Sequence, residues 1–312
     1  MAHLICGVDV SSETLDARIG DSGPMKRFNR TAEGIAALAA FCRDNDVTLV
    51  AMEATGGYER LPFGLLWGHG LPVAVLNPRS VRQFAEAMGF LEKTDRIDAG
   101  LIARFAEVKR ITAQPPASQS QQRLAALVTR LRQLTQTRTV QTNQRRLVSE
   151  PTVLGSIDEL VSLLNRQIRA FETEVAAMIG KDPLWQRLDE AFRTIKGVAD
   201  RTVARIMADL PEIGTLTGKA VAKLVGVAPL ARDSGKATGK RRVRGGRDSV
   251  RSILFVVAEV VRRHDPDFAA FHKKLSDAGK PKKAIRVALA RKLLVRLNAK
   301  AREVRAGLAV EA

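Results

Sequence analysis

Short apolar runs rich in β-branched residues open the chain. Residues 4–10 (Leu-Ile-Cys-Gly-Val-Asp-Val) and 14–19 (Thr-Leu-Asp-Ala-Arg-Ile) read as strands, and the turn chemistry of Gly20-Asp21-Ser22-Gly23-Pro24 leads to a third strand near 25–29. That order predicts a β-meander. Thr31 then suits a helix N-cap, and apolar residues recur at Ile35, Leu38, Ala39, Phe41 and Cys42, the spacing of one helical face over 31–44. A fourth strand runs from Val47 to Met52. After Glu53-Ala54-Thr55-Gly56-Gly57 the pattern gives a helix over 58–69, a fifth strand over 72–76 closed by Asn77-Pro78, and helical stretches at 79–88 and 95–108. Strands first consecutive and then alternating with helices describe a mixed α/β sheet.

Gln114-Pro115-Pro116 breaks this pattern and marks a domain boundary. From 118 to about 180 strand signals vanish, and Leu124, Leu127, Val128, Leu131 and Leu134 recur at helical spacing among Arg, Gln and Thr. Pro151 and Gly155 divide the stretch into two long helices, an antiparallel coiled-coil hairpin. Beyond Pro183 a helical domain follows, interrupted by a basic, glycine-rich segment at 231–251. Three regions result: 1–114, 115–182 and 183–312. No internal period of roughly 20–50 residues points to a repeat architecture.

Composition changes the picture in one respect above all. The 312 residues hold 51 Lys+Arg against 33 Asp+Glu, a net charge of +18. Residues 1–114 carry 13 basic and 14 acidic side chains, so residues 115–312 carry 38 against 19, net +19. A balanced half joined to a polycationic half is unsuited to a typical metabolic enzyme and suits a polyanion, either nucleic acid or an anionic membrane surface. Nucleic acid is favoured, because the sequence holds no apolar run of about eighteen residues, export signal or lipidation motif. The expected location is the cytoplasm, with no membrane partner. The two cysteines, Cys6 and Cys42, fall in apolar contexts in different elements, and the four histidines form no ligand-spaced cluster with them. A disulfide scaffold and a Cys/His zinc site are therefore not expected.

Four acidic residues of the first domain are placed to meet. Asp9 ends the first strand and Glu53 the fourth, and neighbouring strands would project both from one carboxyl edge of the sheet. Asp95 and Asp98, three apart in Lys93-Thr94-Asp95-Arg96-Ile97-Asp98-Ala99, share a helical face. Phosphodiester chemistry with two divalent ions about 4 Å apart needs such hard oxygen ligands, which makes Mg²⁺ or Mn²⁺ the expected cofactor. Taken singly, each is equally an ordinary solvated cap at a strand end or in a first helical turn.

The segment from Ala231 to Arg251 has the composition of a phosphate-gripping loop. Glycines allow close backbone approach, and Arg232, Lys236, Lys240, Arg241, Arg242, Arg244, Arg247 and Arg251 face only Asp233 and Asp248. Ser234 at its head could attack a phosphodiester with guanidiniums steadying the transition state, but Ser-Gly is also a common turn and no His or Lys base stands beside it. Ile195-Lys196-Gly197-Val198 resembles the turn of a helix-hairpin-helix, whose amides and Lys196 would hold a DNA phosphate; a plain helix–helix corner has the same pattern. Residues 273–305 carry twelve basic and two acidic residues around Ile285, Val287, Leu289, Leu293, Leu294 and Leu297, an amphipathic helix whose basic face is solvated or contacts nucleic acid. Only fourteen aromatics occur, most of them in core patterns, so stacking of bases on an aromatic platform is not expected.

Gly7-Val8-Asp9-Val10-Ser11, Met52-Glu53-Ala54-Thr55-Gly56-Gly57-Tyr58, Asn77-Pro78, Lys93-Thr94-Asp95-Arg96-Ile97-Asp98-Ala99 and Gly226-Val227-Ala228-Pro229 followed by Ser234-Gly235 occur in this order and spacing. With them the chain resembles the DEDD-type insertion-sequence transposases over nearly its whole length. The resemblance implies an RNase H-like (RuvC-like) amino-terminal domain and a separate carboxy-terminal transposase domain. It implies divalent metal at Asp9, Glu53, Asp95 and Asp98, and a serine nucleophile, here Ser234, that becomes covalently joined to DNA. Metal would then activate the hydroxyl in place of a His or Lys base. It also implies donor and target DNA as partners, a structured bridge RNA as guide, and a homo-oligomer, dimer or tetramer, whose active sites combine domains of different subunits. The hairpin would serve as an oligomerisation or RNA-contacting spacer. After the Ser-Gly many relatives carry a more evenly spaced Ser/Gly-rich loop, where this chain has Lys-Arg-Arg-Val-Arg-Gly-Gly-Arg, so the contacts of that loop do not carry over.

Three rival readings use the same residues differently. A hydrolytic RNase H-like nuclease of the Holliday-junction-resolvase type would activate water with the carboxylates and leave Ser234 dispensable. A non-catalytic DNA- or RNA-binding protein would need only the basic half. An actin-like sugar kinase has a first phosphate loop similar to Gly7-Val8-Asp9-Val10-Ser11, but the glycine expected after Asp-x is missing here, and the net +19 has no use in that role.

Overall fold

The first apolar run becomes β1 (Ile5–Val10), the middle strand of a five-stranded sheet. The structure is a computed structural model and describes residues 4–90, 95–231 and 241–311. On one side β1 pairs antiparallel with β2 (Thr14–Ile19), which pairs antiparallel with β3 (Met25–Asn29). On the other it pairs parallel with β4 (Leu49–Glu53), and β4 with β5 (Val73–Leu76). The order β3-β2-β1-β4-β5 is the mixed sheet that the strand and helix pattern predicts, and the RNase H-like one that the family resemblance implies.

Helices cover both faces. Cys6, Val8 and Val10 of β1 pack with α1 (Ala32–Asp44) and α2 (Arg60–Gly68) on one side, whereas Ile5, Leu49 and Ala51 pack with α3 (Pro78–Ala87) and α4 (Asp95–Val108) on the other. Alternate strand residues point to opposite faces, so this division fixes the direction of every strand side chain. Thr31 caps α1 by accepting the Gly34 amide at 3.2 Å, as the pattern predicts. Cys6 and Cys42, distant in sequence, meet in the α1-side core as free thiols. The hydrogen bond that the Cys6 thiol makes with Cys42, together with burial, pushes its pKa up.

By internal packing the chain falls into two compact units, 1–117 and 118–312. The regular elements among the described residues of the second unit are all helices. Its first elements, α5 (Gln119–Arg145) and α6 (Pro151–Lys181), form a hairpin with Leu131, Leu134, Leu164 and Ile168 along the seam. Arg123 reaches Glu174 at 2.6 Å and Arg145 reaches Asp158 at 2.5 Å, pairings that only antiparallel helices bring together. Then come α7 (Pro183–Arg193), α8 (Asp200–Asp209), α9 (Gly218–Val225), α10 (Asp248–His264), α11 (Pro266–Asp277) and α12 (Lys282–Glu311). The base of the hairpin joins their core: Leu124, Val128, Val175 and Ile179 pack in one cluster with Phe192, Phe268 and Leu289.

The basic stretch 273–305 is not one helix. Gly279 takes φ +68° and Pro281 follows, so the chain breaks between α11 and α12. Within α12 the apolar face is as predicted, with Ile285, Leu289, Leu293, Leu294 and Leu297 buried. Many of its cations, however, serve the fold. Arg296 pairs with Asp265 at 2.8 Å, Lys292 donates to the Asp267 carbonyl, and Arg302 and Arg305 donate to carbonyls of the 211–216 connector. Burial pulls the Arg305 pKa down. Asn298, 2% exposed, accepts the Gly214 amide and donates to the Leu216 carbonyl, both at 2.9 Å. No helix among the described residues is long and apolar enough to cross a membrane.

Candidate catalytic edge and basic segment

Val8 of β1 stands opposite Met52 of β4, so Asp9 and Glu53 each lie one residue further at the carboxyl ends of neighbouring parallel strands. Both keep the parity of Ile5 and Gly7 or of Leu49 and Ala51, which puts them on the face covered by α3 and α4. Each is half-buried. The second pair of acids arrives through a backbone contact. A Cβ on Gly7 would overlap the Ala99 carbonyl and come within 2.7 Å of the Ala103 amide nitrogen, so β1 and α4 touch peptide to peptide. Asp98, half-buried, immediately precedes Ala99 at this seat. Asp95 starts α4, and its side chain lies outside the described residues.

The backbone therefore brings Asp9 and Glu53 to one sheet edge, with Asp98 on the helix that packs against β1. Their donors are carboxylate oxygens only, the chemistry that a hard divalent cation takes. Among the described residues, no three His, Cys, Asp or Glu side chains are gathered closely enough to enclose an ion.

Two further groups at this edge escaped the sequence pattern. Asp16 of β2 stands directly opposite Asp9, on the same face, and is 4% exposed. It is held by Arg27 of β3, whose Nε donates to Oδ1 at 2.8 Å and Nη2 to Oδ2 at 3.0 Å. In sequence Asp16 is simply the polar position of an alternating strand, and nothing local reveals its cross-strand partners. Glu59 folds back on the loop after Glu53, its Oε2 accepting the amides of Thr55 and Gly57 at 2.9 Å each. Gly56 and Gly57 take φ +62° and +105° in that loop, conformations that side chains disfavour. The Thr-Gly-Gly pattern signals the turn; the role of Glu59 in closing it has no separate signal.

In the second unit, Ser234, Arg232, Lys236 and Lys240 lie outside the described residues. The ends of their segment are described: Leu230 and Arg242 form an antiparallel bridge, the Leu230 amide donating to the Arg242 carbonyl at 3.0 Å. Arg241, Arg242 and Arg244 are exposed. Arg247 instead clamps the fold, with Nη1 donating to the Asp209 carbonyl at 2.8 Å and to Glu212 Oε2 at 2.6 Å while Nη2 holds the other Glu212 oxygen. Burial alone would raise the Glu212 pKa, but the Arg247 hydrogen bonds hold it below the ordinary glutamate value. Arg251 donates to the Gly245 carbonyl and pairs with Asp248. Gly226, at φ +79°, and Gly246, at φ +76°, interlock, since a Cβ on either would strike the other's turn. Lys196 is exposed in the turn between α7 and α8, where Gly197 takes φ +97° against the backbone of Val261.

Comparison with known proteins bears on both units. Residues 6–148 match the DEDD transposase model of the IS110 group, and residues 189–273 match that of the transposase IS116/IS110/IS902 family. The chain is 27% identical over 313 residues to the pilin gene-inverting proteins of Moraxella lacunata and Moraxella bovis, covering 94% of this chain and 94% of each relative. Among solved structures, Thermus thermophilus RuvC in complex with a Holliday junction substrate aligns with 37% of this chain and 100% of its own, at 17% identity and a TM-score of 0.27. A second structure of Thermus thermophilus RuvC covers 36% and 99%, at 17% identity and a TM-score of 0.25. With both units matched by sequence models of the same group, the chain belongs to the IS116/IS110/IS902 family of transposases and is an enzyme of DNA recombination.

Proposed function

We propose that this transposase cuts and rejoins donor and target DNA by transesterification through a covalent serine–DNA intermediate. Ser234 Oγ attacks a phosphodiester phosphorus; the Oγ–P bond forms as the P–O bond to the leaving strand breaks, and the hydroxyl proton is released. A free strand hydroxyl then attacks the serine phosphodiester, takes over the phosphorus and restores Ser234. Each step exchanges one ester for another, so no ATP is consumed. Asp9, Glu53, Asp95 and Asp98 are the proposed ligands for Mg²⁺ or Mn²⁺, which when bound would supply Lewis acidity to the hydroxyl and to the leaving oxygen. The observation that carries the reading is that Asp9 and Glu53 stand at one carboxyl edge of the sheet, on the face that α4 covers.

Phosphate binding falls to Lys196, Arg241, Arg242 and Arg244, with Arg232, Lys236 and Lys240 between them in sequence. Arg247 and Arg251, expected from the sequence to bind nucleic acid, support the segment by the hydrogen bonds described above. Inversion of a gene requires strands to be cut and rejoined, so the names of the Moraxella relatives support a rejoining chemistry over plain hydrolysis. The family resemblance extends the proposal to a structured bridge RNA as guide, and to a dimer or tetramer whose active sites combine carboxylates and serine from different subunits.

Adduct trapping tests the mechanism. The protein is co-expressed with a plasmid carrying the native flanking DNA, then denatured and assayed for DNA that stays attached. The expected result is an adduct in wild type that is absent from Ser234→Ala and from Asp9→Ala. Cleavage without an adduct, with Ser234→Ala as active as wild type, would replace this reading with a hydrolytic nuclease.

A further inference from the structure

Tyr58 is the chain's only tyrosine, and its ring is 46% exposed. It stands five residues after Glu53, beyond the loop that Glu59 closes, and its amide donates to the Thr55 carbonyl at 3.0 Å. The guanidinium of Arg30 lies 5.1 Å from the ring centroid. Arg30 is itself fixed, since its Nε donates to the Ser12 carbonyl at 2.7 Å, in the turn that follows Asp9 and Val10. It has no carboxylate partner among the described residues. The two loops leaving the carboxyl ends of β1 and β4 are thus bridged by a cation stacked on an exposed aromatic ring, at the sheet edge that also carries Asp9 and Glu53.

Nothing in the core calls for this arrangement. Most other aromatics of the first unit pack inward or on one another, as Phe28 does with Phe41 and Phe84 with Phe105, and Phe90, which is also exposed, has no cation stacked on it among the described residues. A planar ring with one side covered by a guanidinium, and a positive charge that no acid matches among the described residues, are the two halves of a nucleotide site: the ring stacks a base, and the cation neutralises its phosphate. A base within a duplex is already stacked and cannot lie on the ring, so the site selects an unpaired one.

We propose that Tyr58 and Arg30 form a stacking platform for an unpaired DNA nucleotide at the carboxylate edge, holding one strand open beside Asp9 and Glu53. The proposal rests on the reading that strand cleavage occurs at that edge. It also reverses the expectation, drawn from the scarcity of aromatics, that bases are not stacked.

The sole tyrosine makes the test site-specific. Full-length protein is nitrated with tetranitromethane alone, with a fully paired duplex, with a duplex carrying a short mismatched bubble, and with RNA of the bubble sequence. Binding of each is followed in parallel by anisotropy. The bubble DNA is expected to slow nitration of Tyr58 and the paired duplex to leave it unchanged. Wild type should prefer the bubble over the paired duplex; Tyr58→Ala should lose about tenfold of that preference, the scale of one base–aromatic stack, and Tyr58→Phe should keep it. Taking the ratio of the two DNAs cancels the general phosphate attraction. Unchanged nitration with bubble DNA bound, an intact preference in Tyr58→Ala, or protection by RNA alone would overturn the platform. Neither readout requires cleavage, so a failure of the serine mechanism registers only in the adduct assay.

Discussion

Position 7 has no room for a side chain, because the Ala99 carbonyl of α4 occupies the place where a Cβ would stand. Gly7→Ala must push helix and strand apart. It should destabilise the first unit by about 2 kcal/mol or more, at the upper range of overpacking costs, measured as a lower urea midpoint. The same displacement moves Asp98 away from Asp9, so strand cleavage should fall further than the loss of folded protein explains. Asp16→Ala is a second test. It removes two charge-assisted hydrogen bonds from a site directly opposite Asp9, with an expected cost of about 1.5–3 kcal/mol by thermal or chemical denaturation, tempered because Arg27 is largely exposed. At this scale the sequence was partly legible. Asp9 and Glu53 could be singled out because each ends an apolar run, and strand ends on one sheet share an edge. Asp16 could not, since its importance comes from register with β1 and β3, which no local pattern encodes.

Helices and strands were the most legible, because each buries one face and its period shows which. The breaks were harder. Residues 273–305 look like a single basic amphipathic stretch, yet Gly279 and Pro281 divide it, and four of its twelve cations, Lys292, Arg296, Arg302 and Arg305, tie α12 to carbonyls and acids of neighbouring segments. The clamp of Arg247 on Glu212 is of the same kind, fastening the basic segment to the connector after α8. It carries a pH signature. The Glu212 pKa is lowered in the folded chain, so the clamp's contribution is present above the ordinary glutamate pKa and is lost as pH falls through the lowered one. Wild type should therefore be more stable than Glu212→Gln at neutral pH, and the two should converge on acidification. A difference that persists unchanged down to low pH would show that the charge of Glu212 does not matter. Glu212 is partly solvated, so the gap is expected to be small and to narrow in high salt.

For the molecule as a whole, the division of charge into a balanced region and one of net +19 was plain in the sequence and remains the strongest pointer to a polyanionic partner. What composition could not show is how many of those cations the fold keeps for itself. Arg241, Arg242 and Arg244 are exposed, so alanine at all three should weaken DNA binding regardless of sequence. It should also flatten the plot of log affinity against log salt by about one unit for each phosphate no longer neutralised. Alanine at Arg247 should instead lower stability and leave that slope nearly unchanged. The bridge between Leu230 and Arg242 carries a separate consequence, for how such a protein can diversify. Because the two ends of the segment are already tied, the entropy of closing a longer loop between them grows only slowly with its length. A change in the number of residues between them should therefore cost the helical body little stability, whatever it does to the chemistry proposed for Ser234.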